Sequence, residues 1–169
     1  MKSILFSLAV LSTLLARGQD QSAIPSPPAS VKETLKNGTV ISIDYSQPGV
    51  KGRTIGKDLE PLPGKVWRTG ANKATVFEVN KDVKIEGKNL PAGKYGLFTI
   101  ANASDWTIIF NKTWDQWGAF DYKEADDALR IKVKGDKVKE LTERMTFKIS
   151  KEGNVTLLWG NEKVDFRVE

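Results

Sequence analysis

The feature that most constrains the fold is a period of two in the hydrophobic residues, repeated in short runs along the chain. Within 39–46, for example, Ile41, Ile43 and Tyr45 alternate with polar residues. Such alternation is typical of a β-strand with one buried and one solvent-facing side. Asn37-Gly38, just before this run, is the strongest short-range signal for a β-hairpin. We therefore expect the first two strands of the domain to form an antiparallel hairpin.

Similar runs continue to the last residues, separated by turn residues at intervals of about eight to twelve positions. They lie at 31–36, 74–80, 82–86, 94–100, 106–110, 129–133, 145–149, 155–159 and 164–168. They predict an all-β fold, a single antiparallel β-sandwich (jelly-roll-like) over residues 30–169, with about nine to eleven strands. A turn is predicted at Gly160–Lys163, and the one helix candidate is Tyr122–Leu129.

Two long segments interrupt the strand pattern, Gln47–Lys65 (the first loop) and Lys112–Ala125 (the second loop). Structureless segments of this length inside a compact domain are usually functional or disordered. We expect the binding residues, if the chain has a site, to lie on or between these loops.

The N-terminal residues have the composition of a secretory signal peptide. Residues 1–18 contain Lys2, an apolar core from Ile4 to Leu15 and small residues near Gly18, which predicts export and cleavage. The composition of residues 19–29 predicts an extended, proline-rich arm. We therefore expect a periplasmic or extracellular protein, without a lipid anchor and without a later membrane-spanning segment.

The composition narrows the possible chemistry. The chain has no cysteine and no histidine, which excludes Ser–His and Cys–His nucleophiles and removes the usual sulfur and nitrogen ligands of zinc. Asp121, Asp126 and Asp127 lack the spacing of an EF-hand loop. We predict no metal site and no cofactor. The net charge of +5 comes from lysines that are dispersed rather than clustered, so a nucleic-acid partner is not expected.

Polar groups are densest in the segment Gly64–Thr75 (the central block). Its sequence GKVWRTGANKAT places an indole, a guanidinium, a hydroxyl and a carboxamide close together. In a binding site Arg68 would grip a carboxylate or phosphate with two parallel hydrogen bonds, and Asn72 would bond a pair of hydroxyls. The alternative is structural: Trp67 fills the core, Arg68 pairs with Asp44 or Glu78, and Asn72 bonds loop backbone.

The two loops carry the remaining candidates. Arg53 either clamps an anion or latches its own loop by bonding carbonyl groups. Trp114 and Trp117, in the aromatic second loop, either stack on a sugar ring or fold back with the loop to plug one end of the sandwich. The candidate ligand-binding residues are therefore Arg53, Trp67, Arg68, Thr69, Asn72, Trp114 and Trp117.

Several motifs occur in a fixed order along most of the chain. They are Tyr45-Ser-Gln-Pro48, Val50-Lys-Gly-Arg53, Val66-Trp-Arg-Thr-Gly-Ala-Asn72, Leu90-Pro-Ala-Gly-Lys-Tyr95, Trp106-Thr-Ile-Ile-Phe-Asn111 and Trp117-Gly118. In this combination the chain resembles the domain of unknown function 2911 family, from about Pro27 to Val168. The resemblance implies an exported β-sandwich domain of Bacteroidota-type bacteria and assigns no catalytic residues. Gln47 and Leu62-Pro63 depart from the residues that the family often has at these positions.

Three functions remain open. We favour a binding module for a small polar ligand, a saccharide or an anionic group, held between the two loops. A purely structural, envelope-associated domain is the first alternative. The second is a hydrolase built on two carboxylates, for which Asp44, Glu78, Asp115 and Asp121 are the candidates. Because the sequence contains no recognisable catalytic motif, we expect a binding or structural protein more than an enzyme.

Overall fold

A computed structural model describes residues 24–169. The predicted signal peptide and the first five residues of the predicted arm lie outside the described residues. The described part contains a short 3₁₀-helix, Glu124–Asp126, and ten β-strands. The strands are β1 Pro28–Thr34, β2 Val40–Ser46, β3 Val66–Trp67, β4 Thr75–Val79, β5 Val83–Ile85, β6 Lys88–Leu90, β7 Gly93–Asn102, β8 Asp105–Asn111, β9 Asp127–Ile149 and β10 Asn154–Arg167. The predicted all-β class and strand number are confirmed.

The strands form one antiparallel sheet in the order β1-β2-β4-β7-β8-β9-β10, with β3 also beside β7 and β5–β6 as a separate hairpin. Strand β9 joins the two layers, because its first part pairs with β8 and its remainder pairs with β10. The sheet therefore curls until the β9–β10 hairpin covers the inner face of the other strands. The backbone nitrogen of Met145 donates to Pro48 (3.1 Å), and that of Val50 donates to Glu143 (2.9 Å), which closes the sandwich beside β2.

The core lies between these layers and is rich in aromatic rings. Phe166 of β10 contacts Phe77 of β4 and Phe110 of β8, with ring centroids 6.4 and 5.9 Å apart. At the other end, Tyr45 meets Phe147 edge-on at 5.1 Å, and its hydroxyl accepts a hydrogen bond from the Phe147 backbone nitrogen. Inward-facing residues of both layers thus interdigitate, as alternation along each strand requires.

Three local predictions need correction. The segment Gly160–Lys163, expected to be a turn, lies inside β10. The strand absorbs it through register shifts on either side of Gly160, whose φ of 58° is in the left-handed region that glycine adopts easily. The helix candidate Tyr122–Leu129 yields only the three-residue 3₁₀-helix. The runs at 129–133 and 145–149, expected to be separate strands, both belong to the single strand β9. None of the helices among residues 24–169 is long and apolar enough to cross a membrane.

Candidate functional site

The central block turns sharply after β3, and buried hydroxyl groups hold the turn. Thr69 has a φ of 51° and Asn72 a φ of 60°, which is an unfavourable conformation for a β-branched residue such as threonine. The Thr69 hydroxyl lies 3.3 Å from the carbonyl oxygen of Trp67 and 3.1 Å from the hydroxyl of Thr99. Thr75 donates to the Thr69 carbonyl at 2.7 Å. Thr69 is fully buried, so it supports the site from below and does not face a ligand.

Trp67 and Arg68 have different environments although they are adjacent. Trp67 belongs to the core, with 2% of its surface exposed, and its Nε1 donates to the carbonyl of Gly70 at 3.1 Å. The Arg68 side chain is only partly buried. Among the described residues it forms no salt bridge, and its Nε is enclosed without a hydrogen-bond partner. Asp44 and Glu78 do not pair with it.

The electrostatic environment of Arg68 is unfavourable to its charge. Burial lowers the pKa of the guanidinium, and the nearby carboxylate of Glu60 partly opposes this shift. Removing a cation from water without supplying bonded partners disfavours its charged form. Arg68 is therefore a partly buried cation whose Nε has lost water without gaining a protein partner.

Arg68 lines a cavity of about 270 Å³ between the central block and the first loop (the Arg68 cavity). The first loop contributes one wall, the central block the other, and Trp159 of β10 lies at the base. The residues that carry its chemistry are Arg53, Asp58, Glu60, Trp67, Arg68 and Trp159. The indole of Trp159 donates to the backbone carbonyl of Glu60 at 2.7 Å, which ties the loop to the core beneath the cavity.

The charged side chains around this cavity are held in place by backbone groups. Arg53 donates to the carbonyl oxygens of Gly49 (2.6 Å) and Val50 (3.2 Å), which is the latch geometry. Asp58 accepts a hydrogen bond from the Thr54 backbone nitrogen at 2.6 Å. Glu60 accepts one from the nitrogen of Leu62 at 2.7 Å. Each side chain is oriented by its own loop.

A second and larger cavity, about 400 Å³, lies between the first loop and the β7–β8 turn. Its wall includes the apolar side chains of Pro61, Pro63 and Trp106. The Nε1 of Trp106 has no hydrogen-bond partner among the described residues. Its two charged residues, Lys137 and Glu162, form an ion pair with each other. The charges of this cavity therefore neutralise each other. The Arg68 cavity differs because its charged side chains are not paired.

The second loop meets the central block at Arg68. The backbone nitrogen of Gly118 donates to Asn72 (3.0 Å), and that of Ala74 donates to Gln116 (3.0 Å). Gly118 has a φ of 68°, and a Cβ there would lie 3.4 Å from Nη1 of Arg68. The guanidinium is thus flanked by the second loop on one side and faces the first loop across the cavity.

The rings of the second loop divide into a packed group and an exposed group. Tyr122 packs on Phe98 on the outer face of the sheet, with ring centroids 5.1 Å apart. Trp117 is 59% exposed and Phe120 is 82% exposed. Trp114, 38% exposed, lies beneath the ammonium group of Lys94. The loop covers the outer face of β7 and β8 instead of an end of the sandwich, and neither tryptophan borders the Arg68 cavity.

Asn72 lies at the surface beside the cavity. Its Nδ2 is 3.4 Å from the carbonyl oxygen of Ser26 and 3.4 Å from the hydroxyl of Ser46, distances at which hydrogen bonds are weak. The structure thus brings Arg53, Trp67 and Arg68 together at one cavity. It places Thr69 beneath them, and Asn72 beside them.

The residues that sequence reasoning missed are Asp58 and Glu60. Both lie in the first loop near Arg53, and the density of charge in that loop was the available signal. The carboxylates considered for hydrolysis lie elsewhere: Asp115 pairs with Lys73 and Glu78 with Lys94 on the surface. Within residues 24–169, no group of three or more acidic residues is arranged to hold a metal ion.

Fold and cavity together define the class: an all-β, sandwich-like domain with a charged cavity between a long loop and a strained corner. The family described as protein of unknown function (DUF2911) matches residues 26–168. The chain belongs to this family. Comparison with curated proteins and with solved structures gave no match.

Proposed function

We propose that the chain is an exported domain that binds a small polar ligand with an anionic group in the Arg68 cavity. The observation that carries this proposal is the state of Arg68, a partly buried cation with an enclosed, unpartnered Nε. Because the Arg68 side chain has no hydrogen-bond partner among the described residues, an anion in the cavity would bond the accessible part of the guanidinium and stabilise its charge. The strained backbone at Thr69, held by buried hydrogen bonds, supports the proposal, because such strain concentrates at binding sites.

Size and charge favour a small anion over a neutral saccharide. The cavity, about 270 Å³, is below the range of drug-sized sites, about 300–1,000 Å³. Trp67 and Trp159 are core residues, so neither offers the freely exposed ring on which a sugar stacks. A carboxylate or phosphate group suits the planar guanidinium better, because two parallel hydrogen bonds form at once.

A second candidate function rests on the exposed rings of the second loop. Trp117 and Phe120 place large apolar surfaces in solvent, a feature of protein-contact surfaces. A structural or envelope-associated domain would use this surface for a partner and leave the Arg68 cavity empty. Substitution of Trp117 and Phe120 by alanine leaves anion binding unchanged if the Arg68 cavity is the site.

The test compares the native protein with Arg68→Gln and Arg68→Met. We expect phosphate, a small carboxylate or a uronic acid to raise the unfolding midpoint of the native protein. At a hundred times the dissociation constant the gain is about 2.7 kcal/mol. Both variants should lose this gain. Arg167→Gln, a change at an exposed arginine paired with Glu169, is the matched control and should retain it.

The stability of the unliganded variants separates binding from structure. If Arg68 functions in ligand binding, its partly buried charge destabilises the unliganded protein. Arg68→Met should then raise the free energy of unfolding in urea by about 0.5–1 kcal/mol. If Arg68 serves the fold, the same change destabilises the protein. Destabilisation together with no anion response would overturn the proposal.

A further inference from the structure

The Arg68 cavity is lined by charges of both signs. Arg53 and Arg68 supply two guanidinium groups, and Asp58 and Glu60 supply two carboxylates. Among the described residues these four groups form no salt bridge with one another or with any other residue, although nine salt bridges occur elsewhere. Unpaired groups of both signs therefore border the same cavity.

Hydrogen bonds with the first-loop backbone orient Arg53, Asp58 and Glu60. Arg53 and Asp58 are exposed, and Glu60 and Arg68 are partly buried. Each carboxylate has one oxygen bonded to a backbone nitrogen of the first loop, and Arg53 is bonded to two carbonyl groups. Glu60 is also the carboxylate whose field acts on Arg68. Arg53, Asp58 and Glu60 therefore lie on the first-loop wall of the cavity, and Arg68 lies on the opposite wall.

We infer that the ligand is a zwitterion, carrying a carboxylate for Arg68 and an ammonium group for Glu60 and Asp58. A free amino acid or a short peptide has this pair of charges at the scale of the cavity. A ligand that is only anionic would satisfy Arg68 and be repelled by the two carboxylates. A zwitterion satisfies both sides. This inference rests on the proposed function and specifies its ligand.

The experiment measures the affinities of alanine, alanyl-alanine, propionate and propylammonium by titration calorimetry or by chemical-shift titration. We expect the two zwitterions to bind the native protein about tenfold tighter than propionate, the effect of one additional ion pair. Glu60→Gln should remove this preference and leave propionate binding equal or stronger. Glu140→Gln, at an exposed glutamate of β9, is the matched control and should preserve the preference.

Three results would overturn the inference and leave the proposed function standing. The first is equal binding of alanine and propionate by the native protein. The second is a preference for alanine that survives both Glu60→Gln and Asp58→Asn in variants with native circular dichroism. Binding of phosphate without binding of any zwitterion also overturns it. By contrast, the proposed function fails when no anion binds and Arg68→Met destabilises the protein.

Discussion

At the scale of single residues, the corner at Thr69 shows how backbone conformation gives a side chain its role. The hydroxyl of Thr69 was expected among the ligand-facing groups of the central block. A φ of 51° turns it inward, where it bonds the hydroxyl of Thr99, and Thr75 donates to the Thr69 backbone carbonyl. Residue type alone does not contain this information, because left-handed conformations of threonine arise only where surrounding contacts impose them.

Ala103 offers a direct measure of such strain at a position outside the Arg68 cavity. It is exposed in the two-residue connection between β7 and β8 and has a φ of 52°. Ala103→Gly should stabilise the protein by about 0.5–1 kcal/mol, because relief of the left-handed conformation exceeds the added entropy of the unfolded chain. Urea unfolding measures the change.

Ala92→Gly is the matched control for Ala103→Gly. Ala92 is also exposed in a connection between strands, but its φ is not in the left-handed region. We expect this substitution to destabilise the protein by about 0.4–1 kcal/mol. Effects of the same sign at both positions would contradict the assignment of strain to Ala103.

Tyr122 should make stability depend on pH above neutrality. Burial, followed by the hydrogen bond to Asp127, raises the pKa of Tyr122 from its ordinary 10 to about 12. The folded state therefore holds the phenolic proton more tightly than the unfolded state. The stabilisation is complete below pH 10 and is lost as pH rises through about 12.

Comparison with Tyr122→Phe isolates this contribution from other groups that titrate in alkali. In urea unfolding at several pH values, the native protein should be more stable than the variant below pH 10. The difference should shrink between pH 10 and about 12. A difference that stays constant across this interval would show that Tyr122 is not coupled to folding.

At the scale of elements, the β9–β10 hairpin completes the core. Its Phe166 inserts between Phe77 and Phe110 and is 2% exposed. Phe166→Ala should therefore destabilise the protein by about 3–5 kcal/mol. Leu141→Ala, at a 52% exposed position of the same hairpin, should change stability by less than about 0.5 kcal/mol.

Urea unfolding of the two variants tests whether the hairpin folds together with the rest of the sheet. One cooperative transition is expected for each. A small effect of Phe166→Ala, or a separate early transition for the hairpin, would mean that the two layers are energetically independent.

Elements whose apolar residues alternate regularly were predictable from the sequence. The hairpin around Asn37-Gly38 and the strands that contain Phe77, Leu97 and Ile108 follow from a period of two. The continuation of β10 through Gly160–Lys163 was not predictable, because the glycine, asparagine and lysine of this segment are also typical turn residues. Pairing with β9, which is a tertiary interaction, keeps that segment extended.

At the scale of the whole molecule, the sequence indicated that the first loop and the central block matter but not how they face each other. Arg53 and Arg68 were candidates because of their type and their irregular surroundings. Asp58 and Glu60 reach the Arg68 cavity because of the path of the first loop. The hydrogen bond from Trp159 to the Glu60 carbonyl helps to fix that path. Trp159 is 99 residues distant from Glu60, and a pattern confined to short windows contains no such contact.

The covering of the inner face by β9 and β10 also has a consequence for synthesis of the chain. Tyr45 bonds Phe147, a residue 102 positions later, and β10 follows the other nine strands of residues 24–169 along the chain. Until it leaves the ribosome, the aromatic inner face of the earlier strands has no partner. Contacts so distant in sequence also form slowly. Folding of this domain is therefore completed only after β10 has emerged, and the unfinished chain exposes the surface on which aggregation begins.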